Sequence, residues 1–163
     1  PSTSTEFASG ASSCAITEAL CRRHPGLPTL AVEMEEALAE HLRERFPRIE
    51  VRSAVAHEVL RDLQRRRSGM VLISSLPFRS LPLRLRLRSS LAIERFLIGH
   101  PDRRLVQYTY LPCVPFDLRL GTSLRWRRLE RVWRNVPPAW VWELGSSNAA
   151  AAHDAPRPAG AAR

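Results

Sequence analysis

Arginine side chains provide the most distinctive chemistry in this sequence. Arg84, Arg86 and Arg88 alternate with leucines in the stretch LPLRLRLRSS, which covers residues 81–90. A guanidinium group is always charged and donates paired hydrogen bonds that fit the oxygens of a phosphate or a carboxylate. Several such groups on one surface would bind a polyanion, so these three residues are candidates for contact with RNA or an acidic protein surface. The alternative is a solvated outer face whose charge protects a sheet edge from aggregation.

A second basic segment, TSLRWRRLERVWRNV, covers residues 122–136. Its arginines could contact backbone phosphates, while its first tryptophan could stack on a base. Two alternatives are open: an amphipathic helix whose arginines are merely solvated, and a basic helix that lies on a membrane surface. No RNA-binding signature surrounds the segment, so sequence-specific readout is not predicted. Its candidate contact residues are Arg125, Trp126, Arg127, Arg128, Arg131 and Arg134.

The positive charge is concentrated in one part of the chain. The 163 residues carry a formal net charge of +9, and all 25 basic residues are arginine. Residues 71–140 contain thirteen arginines but four acidic residues, so this segment accounts for the whole excess. An excess of this size indicates an anionic partner for the later half of the chain.

Few residues have the types and spacing that catalysis needs. Cys113 could act as a nucleophile with His57 or His100 as its base and Asp117 as the orienting group. No catalytic signature surrounds this cysteine, and a cysteine in an apolar run is usually a core residue. The sequence therefore predicts no catalytic residue, and a protein that is not an enzyme.

Patterns that bind cofactors or metals are equally weak. Glu33, Glu36 and Glu40 would share one face of a helix, and we interpret them as solvated charge. The cysteines and the histidine within residues 14–24 do not have the spacing of a zinc site. The seven glycines are scattered and form no phosphate-binding loop. We therefore predict neither a metal nor a cofactor.

Cysteine usage bears on the compartment. Three cysteines are an odd number and predict no disulfide framework, which favours a reducing intracellular compartment. The mitochondrial matrix is the specific prediction and the cytoplasm the alternative. The longest uncharged runs, residues 69–78 and 105–116, are shorter than the roughly 20 apolar residues of a membrane-spanning helix.

Hydrophobic periodicity predicts alternating helices and strands in the first half. Leu30, Met34, Leu38 and Leu42 recur at a spacing of four before Pro47, which favours a long helix. A continuous apolar run, MVLISS, is typical of a strand buried on both faces. The predicted elements are a helix over 29–46, a strand over 49–53, a helix over 56–69 and a strand over 70–75.

The second half is predicted to consist mainly of strands. The leucines of residues 81–88 align on one face at a period of two, which favours a strand with the arginines on its outer face. Residues 91–99 and 103–114 flank a turn and are predicted as a hairpin; the alternative for the first arm is a short helix capped by Ser90. Residues 122–136 are predicted as a helix and 137–144 as an extended segment.

These elements predict an α/β or α+β fold. It would contain a mixed sheet of about five strands, two N-terminal helices and one basic C-terminal helix. Residues 1–13 are predicted as a flexible lead-in, 14–145 as a single globular domain, and 146–163 as a low-complexity tail.

The predicted function follows from the charge and from the weak catalytic patterns. We expect a non-enzymatic subunit of a ribonucleoprotein or multiprotein assembly, such as an organellar ribosome, that contacts RNA backbone or acidic partners. A membrane surface is a less favoured partner. The alternative is a small α/β domain or enzyme that binds an anionic metabolite through convergent arginines.

Overall fold

The computed structural model of the chain describes residues 6–8, 13–66, 68–120, 123–133 and 137–146. Within these ranges no helix is both long and apolar enough to cross a lipid bilayer. The elements in chain order are β1 (Glu6–Ala8), α1 (Ser13–Arg23), β2 (Thr29–Glu33), α2 (Glu36–Arg45), β3 (Glu50–Ser53), α3 (Ala56–Leu63), β4 (Val71–Ser74), α4 (Leu83–Ile98), β5 (Arg104–Thr109), β6 (Leu124–Val132) and β7 (Ala139–Ser146).

All these strands belong to one sheet with the order β3-β2-β1-β4-β5-β7-β6. Strands β1 to β5 run parallel, whereas β7 is antiparallel to both β5 and β6. A helix follows each of the first four strands, because a chain that re-enters a sheet in the same direction needs a crossover connection. The predicted α/β class with a mixed sheet is confirmed, with seven strands where about five were expected.

An interior strand of the sheet lies in the segment that was predicted as a flexible lead-in. Residues 6–8 form β1, which pairs with β2 on one side and β4 on the other. A strand of three residues is too short for a period-two pattern to reveal. Residues 1–5 and 9–12 of the predicted lead-in, and residues 147–163 of the predicted tail, lie outside the described residues.

The first correction concerns the predicted helix over residues 29–46. Its first part is strand β2, in which Leu30, Ala31 and Val32 are all buried, and only its second part is helix α2. A strand buried on both faces reads as a continuous apolar run, which a helical pattern can imitate over a few residues. Met34, which was expected on the apolar helix face, is 67% exposed.

The second correction concerns residues 81–88, which open helix α4 and do not form a strand. Leucine and arginine are both good helix formers, and residues 81–92 contain no β-branched residue that would favour a strand. The buried positions recur at spacings of three and four, as one face of a helix requires. They are Ser89, Ser90, Ile93, Glu94, Phe96 and Leu97.

The helix separates the three alternating arginines. Residues two apart in a helix point roughly 200° apart, because each residue turns the chain by about 100°. Arg84 and Arg88 therefore lie on one side of α4, where both are exposed, while Arg86 lies on the other side and is half-buried. The predicted row of three arginines on one sheet face does not exist.

Helix α4 also replaces the first arm of the predicted hairpin. Residues 91–98 are helical, so the strand predicted there is wrong and the helical alternative is right. Ser90 does not cap this helix, since its hydroxyl donates to the carbonyl of Leu87 at 3.2 Å within it. The second arm is confirmed as β5.

The third correction concerns the predicted basic helix over residues 122–136, whose described part is mostly strand β6. A register shift between Arg128 and Glu130 interrupts its pairing with β7. A bulge of this kind breaks the period-two pattern and leaves apolar residues at helical spacings. The predicted strands 49–53 and 70–75, the helix predicted over 56–69 and the extended segment 137–144 correspond to β3, β4, α3 and β7.

Candidate functional site

The strand order places a crevice at one edge of the sheet. The chain proceeds outward from β1 to β2 and β3 on one side, and to β4 and β5 on the other. The point between β1 and β4, where the strand order reverses, is a topological switch point. The helices that follow the two neighbouring strands leave in opposite directions there, and ligands of parallel α/β sheets bind in the resulting crevice, beyond the carboxyl ends of the strands. Strands β1, β2 and β4 end at this edge with Ala8, Glu33 and Ser74.

Glu33 is a buried carboxylate at the carboxyl end of β2. Its side chain is 7% exposed, and its Oε1 accepts hydrogen bonds from the backbone N–H groups of Met34 at 2.9 Å and Glu35 at 3.2 Å. These bonds fix the carboxylate at the turn that leads into α2. A carboxylate acts only as an acceptor, with about four lone-pair sites.

Sequence patterns placed Glu33 incorrectly on the solvated face of a helix. The relevant signal is an acidic residue directly after a short apolar run, LAVE. In a parallel sheet such a residue lies at the carboxyl edge, where acidic side chains bind ribose hydroxyls in nucleotide-binding folds. Recognising it required the strand β2 to be identified first.

A cleft of about 390 Å³ opens beyond the carboxyl ends of β4 and β5. Most of its walls are apolar or aromatic, and the rings of Tyr108 and Tyr110 meet edge to face at 5.9 Å. Such walls favour a ligand with an apolar body. The lining residues are Ser75, Leu76, Pro77, Phe78, Arg79, Ser80, Tyr108, Thr109, Tyr110, Leu111 and Pro115.

Buried polar side chains hold the wall of this cleft that follows β4. Gln107 is 1% exposed, and its Nε2 donates to the carbonyls of Leu76 and Tyr108, each at 3.1 Å. The hydroxyl of Ser74 accepts a bond from the backbone N–H of Leu76 at 3.2 Å. The segment after β4 is thereby tied to both β4 and β5.

Glu94 fixes a second segment, which contributes one residue to the cleft. It is fully buried on α4, and its carboxylate accepts the backbone N–H groups of Arg119 and Leu120, in each case at 3.0 Å from Oε2. These residues belong to the connection between β5 and β6, which also supplies Pro115 to the cleft. Glu94 is therefore a positioning residue for the cleft.

Substitution of Glu94 by alanine is expected to destabilise the protein by about 2–4 kcal/mol, because it leaves two donors without their charged acceptor and creates a cavity. Urea unfolding followed by circular dichroism measures this change. Glu40→Ala on the exposed surface of α2 is the control, with an expected change within about 0.5 kcal/mol. An equal effect of the two substitutions would contradict this role of Glu94.

A second, smaller pocket of about 130 Å³ adjoins the cleft. Arg86 lines it, together with Arg79 and Arg119, which were not among the predicted contact residues. The other predicted arginines of this region, Arg84 and Arg88, lie on the far side of α4. The structure therefore brings one of the three predicted residues into a concave site.

Three of the predicted contact arginines on β6 already have partners within the chain. Arg127 pairs with Glu143 at 3.0 Å, and Glu143 also lies 3.8 Å from Arg104. Arg131 and Arg128 stack on the ring of Trp140, with distances to the ring centre of 4.7 and 5.0 Å. Arg125 is exposed, and Arg134 lies outside the described residues.

Trp126 is turned toward the core and not toward a nucleic acid. Its indole Nε1 donates to the carbonyl of Phe116 at 3.1 Å, and its ring meets that of Phe116 at 5.1 Å. Phe116 in turn packs on Phe78, with ring centres 4.7 Å apart. This aromatic stack lies behind both pockets, so Trp126 is not available to stack on a base.

The residues considered for nucleophilic catalysis are not joined in the part of the chain that the structure describes. No hydrogen bond links Cys113 to His57, His100 or Asp117 there, and His100 instead accepts the backbone N–H of Asp102 at 3.2 Å. Among the same described residues, no three side chains of His, Cys, Asp or Glu are grouped as metal ligands.

Comparison with known proteins extends the description of the fold. No protein-family model and no curated protein matches the chain. Among solved structures, a TehB-like SAM-dependent methyltransferase from Corynebacterium glutamicum is 14% identical, with a TM-score of 0.56 over 90% of this chain and 82% of that one. The precorrin-6y C5,15-methyltransferase from Geobacter metallireducens is 11% identical, with a TM-score of 0.57 over 90% and 81%. The mitomycin 7-O-methyltransferase MmcR is 15% identical, with a TM-score of 0.57, and this chain covers 49% of its length.

These neighbours overturn the function predicted from the charge. A protein that is not an enzyme, and that belongs to a ribonucleoprotein or an organellar ribosome, was expected. The similar solved structures are instead named as methyltransferases, which are enzymes. Contact with RNA, acidic proteins or a membrane surface, and a mitochondrial location, stay predictions. The chain shares its fold with these solved methyltransferase structures.

Proposed function

We propose that this protein is a methyltransferase that uses S-adenosylmethionine. The observation that carries the proposal is a buried carboxylate, Glu33, at the switch-point edge of a fold shared with methyltransferases over 90% of the chain. Its position at the end of β2, beside β1, is where a nucleoside would present its ribose to the sheet.

The described residues fit the nucleoside part of this cofactor. The Glu33 carboxylate is acceptor-only and suits the two ribose hydroxyls, which are donors. Met34 follows it directly and is 67% exposed, so its thioether side chain provides an apolar surface for a purine ring. The connection from β1 to α1, residues 9–12, lies outside the described residues and is not assigned a role.

The chemistry supplied by the bound cofactor is an activated methyl group on a sulfonium, which is transferred to a nucleophile of the acceptor. The chain contributes the cleft beyond β4 and β5, which orients the acceptor and excludes water. Of the side chains described as lining this cleft, none is an imidazole or a carboxylate.

Isothermal titration calorimetry with S-adenosylmethionine and with S-adenosylhomocysteine tests the proposal directly. Saturable binding of both with a stoichiometry of one is expected, and adenosine alone should bind more weakly because it lacks the amino-acid part. Failure of both cofactor forms to bind at roughly 1 mM, corresponding to a binding free energy weaker than about −4 kcal/mol, would refute the proposed activity.

A further inference from the structure

We propose that Arg79, Arg86 and Arg119 form a binding site for a phosphate group of the methyl acceptor; its assignment to the acceptor rests on the proposed function. The pocket that these residues line has a volume of about 130 Å³. They come from three separate segments: the turn after β4, the first turn of α4, and the connection between β5 and β6. Their convergence therefore results from the tertiary structure and not from local sequence repetition.

The charge of the pocket favours a phosphate. Among the described residues that line it, Asp117 is the one acidic residue beside the three arginines. Ion pairs within 4.0 Å involve other arginines of the described chain, such as Arg43 with Glu36 at 2.8 Å, but none of these three. Like charges repel at short distance, and a phosphate can neutralise the excess while it accepts several guanidinium hydrogen bonds.

The connection between the two pockets indicates what the phosphate is attached to. Arg79 and Pro115 line both the arginine pocket and the apolar cleft. A phosphate bound to the arginines would therefore place the rest of its molecule in the apolar cleft that Phe78 and Tyr108 line, beyond the carboxyl ends of β4 and β5. The ligand that fits is a phosphate ester with an apolar or aromatic body.

Phenyl phosphate is a suitable probe because its ring can enter the cleft. Binding to the full chain, measured by isothermal titration calorimetry, is expected to be tighter than binding of inorganic phosphate. Arg86→Gln and Arg119→Gln should each weaken the binding of phenyl phosphate by at least about tenfold, because each removes a charged hydrogen bond. Arg84→Gln and Arg88→Gln, on the far side of the same helix, are the matched controls and should change the affinity less than twofold.

Two results would overturn the site. One is equal affinity losses for the pocket and control variants, which would indicate non-specific attraction to a basic protein. The other is the absence of saturable phenyl phosphate binding by wild-type protein that unfolds cooperatively on heating and binds the cofactor. Cofactor binding is measured separately, so loss of the phosphate site and failure of the proposed activity are distinguishable.

A soluble ester and a phospholipid headgroup present the same phosphate chemistry. Competition between phenyl phosphate and vesicles of phosphatidylglycerol distinguishes them. Displacement of the probe by the vesicles, lost in Arg86→Gln but kept in Arg84→Gln, would identify a headgroup as the source; binding of the probe that vesicles do not affect would identify a soluble ester. Both results support the phosphate site.

Discussion

Replacement of Glu33 by glutamine is expected to weaken the binding of S-adenosylmethionine by about tenfold to a hundredfold. The substitution retains one side-chain oxygen, which can still accept the backbone N–H groups of Met34 and Glu35. It removes the negative charge and replaces one acceptor with an amide donor, so that a ribose hydroxyl loses the acceptor to which it would donate. Loss of a hydrogen bond to a charged group costs about 1.5–3 kcal/mol, and each 1.4 kcal/mol corresponds to a factor of about ten.

The measurement is a calorimetric titration of wild-type and variant protein with the same cofactor solution. Glu35→Gln is the matched control, because Glu35 lies two residues further along and its side chain is exposed. Thermal unfolding of both variants shows whether the turn into α2 is intact. Equal affinities of the Glu33 variant and the wild type would show that this carboxylate does not contact the cofactor.

The sequence was sufficient to identify elements whose hydrophobic residues are the ones that the fold buries. The run MVLISS corresponds to β4, the central strand of the seven, in which half-buried and buried residues alternate, and residues 56–63 have a clear apolar face and form α3. In both cases the local pattern and the tertiary environment favour the same structure. Agreement of this kind is what makes a pattern informative.

Elements were misassigned where polar residues occupy buried positions. Helix α4 buries Ser89, Ser90 and Glu94, while Leu83 at its start is 58% exposed. The period of two in its first turns is therefore unrelated to the face that packs on the sheet. Tertiary contacts decide the structure there, and Glu94 is buried because it holds the next connection of the chain.

The candidate site was hard to predict because it is assembled from distant segments. Arg86 was predicted as an anion-binding residue, but its two partners in the pocket come from the turn after β4 and from the β5–β6 connection. The alternation of leucine and arginine suggested Arg84 and Arg88 as the partners of Arg86. In the helix α4, however, these two residues lie on the opposite side from Arg86. Charge composition identified the basic half of the chain, but only the fold shows which guanidinium groups converge.

The largest effect on stability is expected at Arg103, which is 1% exposed. Its guanidinium donates to the carbonyl of Phe96 at 2.8 Å and to that of Ser68 at 3.4 Å, and it also contacts the carbonyls of Gln64 and Arg66. These carbonyls belong to the end of α4 and to the segment after α3. One side chain thus ties the end of α4 to the segment after α3 through four backbone carbonyls.

The interior position of this guanidinium is also electrostatically unusual. Burial lowers the pKa of Arg103, since desolvation disfavours its charge. The ring of Phe96, 4.2 Å from the guanidinium carbon, provides a compensating cation–π contact. The charge is therefore stabilised by backbone carbonyls and by an aromatic face. Among the described contacts, no carboxylate contributes.

Gly99 leaves the space that this guanidinium occupies. A Cβ atom at residue 99 would lie 3.0 Å from Nη1 of Arg103, which is closer than ordinary van der Waals contact. The guanidinium cannot move away without losing its carbonyl partners. The glycine is therefore required here by a close approach and not by an unusual backbone angle, since its φ is −64°.

Arg103→Met is expected to destabilise the protein by about 3–5 kcal/mol, because it keeps much of the side-chain volume but leaves several carbonyls without a donor. Gly99→Ala should cost about 1–3 kcal/mol through crowding of Nη1. The double variant should cost less than the sum of the two, because the crowded group is then absent. Urea unfolding of the four proteins measures this cycle, and Arg95→Met on the exposed face of α4 is the control. Strictly additive effects, or a change at Arg103 no larger than at Arg95, would show that the guanidinium does not join the two helix ends.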